Sequence, residues 1–159
     1  MSKSILNHNV LFIEPIIHPE FLCHIVSQKG RTYLGNRHAE YYINQLLIEC
    51  FAATIASRKI NVKHAHKITR LIPIIIDDSH DFVMFPLHAC KYKNAVWINL
   101  RHVMKFEKKH DGTSICFQTG DALDVSIETH LCENQYRRAL EVLDYFKKYK
   151  HLNISYTIE

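Results

Sequence analysis

The chain has 159 residues, enough to bury a core in one domain without metals or disulfides, and 47% apolar with 23% charged content is ordinary for a globular protein. The longest apolar runs, such as Leu71–Ile76, fall far short of the roughly 18 residues that cross a membrane. MSKSILNHNV lacks the apolar run of a secretory signal, so a cytoplasmic protein is expected. The five cysteines, Cys23, Cys50, Cys90, Cys116 and Cys132, are far apart and never form a CxxC pair. In a reducing compartment they read as small buried apolar residues.

In chain order, VLFIEPIIH (Val10–His18) and FLCHIVSQ (Phe21–Gln28) predict strands, and Lys29-Gly30 turns the second into RTYLG (Arg31–Gly35). From about Ala39 to Lys59 the spacing becomes helical. Ile43, Leu46, Leu47, Cys50, Phe51 and Ile55 make one apolar stripe, and Asn61 is a stop signal, since Asn tolerates the left-handed conformation. ITRLIPIII then leads through the turn Asp77–Asp81 into FVMFP (Phe82–Pro86), and Pro73 argues that the first of these strands lies at an edge or begins near there. AVWINLRHVMKF (Ala95–Phe106) reads as one strand, followed by SICFQ (Ser114–Gln118) and the alternating ALDVSI (Ala122–Ile127). A last helix is predicted from about His130 to Lys148, with Glu133/Arg137, Arg137/Glu141 and Asp144/Lys148 as i,i+4 pairs on its wet side. The expected class is α+β: a single domain, residues 1–159, in which an antiparallel meander is backed by a central and a C-terminal helix.

Charge is unevenly placed within a net +4. Residues 1–57 balance, 58–110 carry eleven basic and four acidic groups, and 111–159 carry five basic and eight acidic. The middle third can therefore attract a polyanion. Its densest part is RKINVKHAHKITR (Arg58–Arg70), with five Lys or Arg, two His and no acid.

Several chemistries fit parts of this pattern. His64-x-His66, His88-x-Cys90, His130-x-Cys132 and the turn with Asp77, Asp78, His80 and Asp81 could each start a metal site, but none has an obvious second half. His64 and His66 then read as exposed polar residues, and the acidic turn as a turn stabilised by its own Asp and Ser side chains. Cys90 has His88 and Lys91 nearby, which would suit a nucleophilic thiol, yet adjacency in sequence is poor evidence for a catalytic pair. GxSxG, P-loop and GxGxxG motifs are missing from the sequence, and neither enzyme activity nor a cofactor or metal is expected.

The basic groups remain. Arg58 and Lys59 fall at the predicted end of the central helix, where cations favour the dipole. That leaves Lys63, Lys67 and Arg70 without acidic partners. Asn99, Arg101 and Lys105 share one face of the predicted strand, opposite Ile98, Leu100, Met104 and Phe106. Lys91 and Lys93 lie in the loop before Trp97, while Arg137 and Arg138 have acids nearby and serve the helix surface. Composition alone leaves nucleic-acid contact and a merely solvated basic face both open.

The order of motifs from about Ile48 to Leu140 resembles the ComK family of competence transcription factors. The likeness rests on SRK (Ser57–Lys59) followed by KIT (Lys67–Thr69), PIIID (Pro73–Asp77) followed by MFP (Met84–Pro86), WIN (Trp97–Asn99) leading to Lys105-Phe106, and ENQYRRA (Glu133–Ala139). The resemblance implies a DNA-binding activator of competence and DNA-uptake genes. It implies recognition of A/T-rich boxes in double-stranded DNA, largely through the minor groove and as a homo-oligomer, with control by the adaptor of an ATP-dependent protease. The residues expected at DNA are Arg58, Lys59, Lys63, Lys67, Arg70, Asn99, Arg101 and Lys105. The alternative is an interaction module that pairs with a homologous regulator or titrates its adaptor. Where the family pattern carries glycines this chain has Ala52, Ser57 and Asn61, of which Ala52 and Ser57 favour a more regular helix. Longer members continue past the last helix, whereas this sequence stops at Glu159, which bears on any self-association through such a tail.

Overall fold

The computed structural model describes residues 5–88 and 94–158, with side chains as far as Lys150. The order of elements is β1 (Val10–Pro15), β2 (Cys23–Ser27), β3 (Thr32–Gly35), α1 (Ala39–Phe51), α2 (Ile55–His66), β4 (Ile74–Asp77), β5 (Phe82–Leu87), β6 (Val96–Asn99), β7 (Val103–Lys109), β8 (Gly112–Phe117), β9 (Ala122–Val125) and α3 (Thr129–Ile158). The α+β class is the expected one. The strands form two antiparallel sheets, one of six in the order β3-β2-β1-β6-β5-β4 and one of three in the order β7-β8-β9.

The larger sheet is the middle layer, which explains why β4 and β5 read as unbroken apolar runs rather than alternating ones. Ile74, Ile76, Met84, Trp97, Ile13 and Ile25 lie in one apolar cluster with Ile43, Leu46 and Leu47 of α1. Ile75, Val83, Phe85 and Ile98 lie in another, with Ile115 and Phe117 of β8 and Ala139, Val142 and Leu143 of α3. β4 is an edge strand directly after Pro73, as the missing N–H of proline suggests.

Two long predicted elements are each divided. The helix expected over Ala39–Lys59 stops at Ala52, which takes the left-handed conformation (φ 50°, ψ 42°) and caps α1. Thr54 then starts α2 through a capping box: its hydroxyl accepts from the Ser57 N–H at 3.1 Å, and the Ser57 hydroxyl accepts from the Thr54 N–H at 3.0 Å. Ser57 therefore begins a helix instead of smoothing one. Asn61 turns nothing; it lies inside α2, which runs to His66 and is capped by Lys67 at φ 60°.

The strand expected over Ala95–Phe106 is split by a short 3-10 turn at Leu100–His102, where the chain leaves the six-stranded sheet for the three-stranded one. Asn99 is the corner. It is fully buried, donates to the carbonyls of Val10 (2.8 Å) and His8 (3.2 Å), and accepts the Arg101 N–H (3.2 Å). Asn99 is thus a structural residue, and its assignment as a DNA contact is corrected by its burial.

Candidate nucleic-acid interface

The division of the central helix changes what its cations do. Arg58 and Lys59 sit in the early turns of α2, the wrong end for a favourable dipole, so the helix-end account of these two residues is replaced. Lys59 is compensated by Glu40 of α1 at 3.7 Å. Arg58 is half-buried, with its guanidinium carbon 6.0 Å from the Phe146 ring centre and its Nε buried without a partner. Burial lowers its pKa, and the nearby Asp78 carboxylate works against that shift. Lys63, exposed in the last turn of α2, is now the dipole-favoured residue.

Past that helix end the chain makes a tight excursion. Lys67 donates its N–H to the Lys63 carbonyl at 3.0 Å, and Ile68 packs on the core. Lys67, Thr69, Arg70 and Leu71 are exposed, and Ile72 and Pro73 re-enter the interior. Leu71 also takes a left-handed backbone, φ 49°. This loop forms one wall of an open polar cleft of about 600 Å³, whose other wall is α3. Lys67 and Arg70 lie on the first wall, and Asn134, Arg137, Arg138 and Glu141 on the second.

Among the described residues, no salt bridge is made by Lys67, Arg70, Arg137 or Arg138. The expected Arg137 pairs with Glu133 and Glu141 are replaced by a 3.2 Å bond from Arg137 to the Asn134 side chain, while Asp144–Lys148 forms at 2.9 Å. Four cations around one Glu141 make a local positive field, strengthened because no carboxylate neutralises it at contact distance. Helical spacing concealed that Arg137 and Arg138 make no salt bridge among the described residues, because acids three or four residues away suggest partners whether or not the rotamers meet. The ENQYRRA match was the one sign of them in the sequence.

The remaining candidates stand apart. Arg101 is exposed and donates to the His80 carbonyl at 2.9 Å, beside the turn whose Asp81 and Asp78 are paired with Lys147 and Lys150 of α3. Lys105 is on β7, paired with Glu107 at 2.8 Å, and that hydrogen bond raises its pKa. Lys105 is exposed, while its neighbour Phe106 packs edge-on against Tyr136 of α3, so Lys105 points away from the helix that bears the cleft. Cys90, Lys91 and Lys93 lie outside the described residues.

The other chemistries find ordinary explanations. Asp77 accepts from the Ser79 N–H (3.1 Å), the Ser79 hydroxyl (2.6 Å) and the His80 ring (2.6 Å), as a self-stabilised turn does. His66 packs edge-on against Tyr145, ring centres 4.9 Å apart. Among the described residues, no three His, Cys, Asp or Glu side chains group as a metal site. Burial pushes the Cys23 thiol up to about 11 and raises Cys132 as well, so both remain protonated at neutral pH. No helix among the described residues is long and apolar enough to cross a membrane.

Comparison with known proteins agrees with the motif order. A curated relative, the competence transcription factor of Bacillus subtilis (strain 168), is 31% identical over 91 residues, which cover 56% of this chain and 47% of the relative. The chain therefore spans about half the length of the curated relative it matches. No solved structure matches. The family model described as ComK protein matches residues 1–150, nearly the whole of what the structure describes, and the chain belongs to the ComK family.

Proposed function

We propose that this protein is a DNA-binding transcription regulator of the competence type. It binds A/T-rich boxes of double-stranded DNA without catalysing a reaction. The observation that carries this reading is the cleft in which Lys67, Arg70, Arg137 and Arg138 converge with no salt-bridge partner among the described residues. Unpaired guanidinium and ammonium groups are suited to phosphate oxygens, and arginines are drawn to the narrow, strongly negative minor groove of A-tracts. Lys63, on the exposed side of α2 just before the cleft, extends the positive strip. The name of the Bacillus subtilis relative supports the same reading. The working form is a homo-oligomer on DNA in the cytoplasm, with paired boxes matched by paired subunits.

The test is a binding titration of the full chain against duplexes with and without A/T boxes over a salt series. Affinity should be higher for the boxes and fall steeply with salt, because each phosphate neutralised releases counterions. Affinity that ignores both box and salt overturns the reading.

A second reading is supported by an apolar groove of about 390 Å³ between α2 and α3, lined by Ile60, Val62, Val142, Tyr145, Phe146 and Tyr149. In it, the chain is an interaction module that pairs with a homologous regulator or titrates its proteolytic adaptor. It predicts a salt-independent protein complex and no duplex binding.

A further inference from the structure

The apolar face of α3 contains a polar residue that the apolar stripe does not account for. Cys132, Gln135, Ala139 and Val142 are all buried, and Gln135 is only 6% exposed. Its carboxamide Nε2–H donates to the backbone carbonyl of Leu71 at 2.5 Å. Leu71 belongs to the other wall of the cleft. Gln135 precedes Arg137 and Arg138, so one part-buried hydrogen bond joins the two segments that bear the cations.

The cleft needs such a tie. Lys67 and Arg70 repel Arg137 and Arg138 in the absence of an anion, and the loop itself is conformationally costly. Lys67 and Leu71 both have left-handed backbones, φ 60° and 49°, a conformation that the Cβ of an L-residue disfavours. Ile68 anchors one end of the loop on the core and Ile72 and Pro73 the other, but neither fixes the exposed Thr69–Leu71 segment. A neutral donor is suited to the task because a carboxylate at position 135 would cancel the field the cations make.

We propose that Gln135 is a positioning residue for polyanion binding: it holds the Lys67–Leu71 loop on α3 so that the two cation pairs face one ligand. This rests on the nucleic-acid reading of the cleft. Gln135 touches no DNA itself; its effect is to preorganise the loop, so that ordering is not charged to the binding step.

The experiment uses the full chain, Gln135→Leu and the reference variant Arg137→Ala/Arg138→Ala. It reads backbone NMR order parameters of residues 68–72 without DNA and affinity for a duplex with two A/T boxes. In Gln135→Leu, the order parameters of the loop should fall toward the flexible range while those of β5 and β8 are unchanged, and affinity should fall roughly five- to tenfold. Where Gln135→Leu does not fold, Gln135→Ala replaces it, since water can then reach the Leu71 carbonyl. Unchanged loop order parameters overturn the proposal. So does a loosened loop with unchanged affinity, provided the arginine variant binds more weakly. If the arginine variant also binds as the parent does, the cleft reading itself has failed, and Gln135 positions nothing for DNA. The loop dynamics measured without DNA tell that failure from the first.

Discussion

Along α3, two groups of cations meet opposite surroundings. Lys147 and Lys150 reach Asp81 and Asp78 in the turn between β4 and β5. About three turns earlier, Arg137 and Arg138 face Lys67 and Arg70 across a cleft in which, among the described residues, no carboxylate comes within salt-bridge distance of them. The first group attaches the helix to the sheet, and its charges are already neutralised where they sit. The second leaves its charges free at the surface, which costs some self-repulsion and is useful only if an anion arrives. Pairing, rather than the density of Lys and Arg, separates a scaffold contact from a candidate binding site.

That contrast can be broken most directly by removing the free group. Lys67→Ala/Arg70→Ala/Arg137→Ala/Arg138→Ala should lower affinity for A/T-box duplexes roughly 100-fold. The slope of log affinity against log salt should flatten by about 0.9 for each phosphate left without its cation. An unchanged slope in the titration means these residues do not touch phosphate. Next in size, Asn99→Leu should cost about 2–3 kcal/mol in urea unfolding, because the His8 and Val10 carbonyls lose a buried donor. Its salt slope, measured below the unfolding transition, should remain that of the parent.

Ala52→Gly should raise stability by about 1 kcal/mol, since glycine takes φ 50° without the Cβ penalty, less the added freedom of the unfolded chain. Lys147→Ala and Lys150→Ala should each cost about 0.2–1 kcal/mol, the range of exposed ion pairs, and leave the salt slope of DNA binding intact. A flattened slope in either variant would erase the distinction between the two groups.

The gentlest perturbation is acidification. Burial lowers the pKa of His102, with Arg101 and His8 adding to that shift, although its bond to the His8 carbonyl opposes it. The unfolded chain therefore takes up this proton first, and stability should decline as pH falls below about 6.5, the unfolded value. The effect should be small because protonated His102 still donates to the His8 carbonyl at 2.7 Å and gives up only the hydrogen bond with Gln28 at 3.2 Å. In His102→Gln that part of the decline should vanish from the pH profile of the urea midpoint.

Much of the architecture was legible from local pattern. The strands around Val10, Cys23 and Phe82, the edge position after Pro73 and the final helix follow from periodicity and from residues with fixed backbone preferences. The failures share a cause. In Ala39–Lys59 the apolar spacing runs on through Ala52, and only the Thr54/Ser57 capping box marks a second helix. In Ala95–Phe106 alternation continues past Asn99, although the chain changes sheets there.

The sequence by itself determined the α+β class, the basic middle third and the order of motifs that marks the ComK family, because composition, periodicity and collinear spacing are properties of the chain alone. Only the tertiary structure decided which cations are free. Whether Lys105 meets Glu107, Lys147 meets Asp81 or Arg137 turns from Glu141 to Asn134 depends on distances across elements. It also drew Lys67 and Arg70 up to Arg137 and Arg138, residues distant in sequence, and withdrew Asn99 into the core. Charge is written into the sequence, but neutralisation is set by packing, because a Coulomb contact needs its partners within a few ångströms.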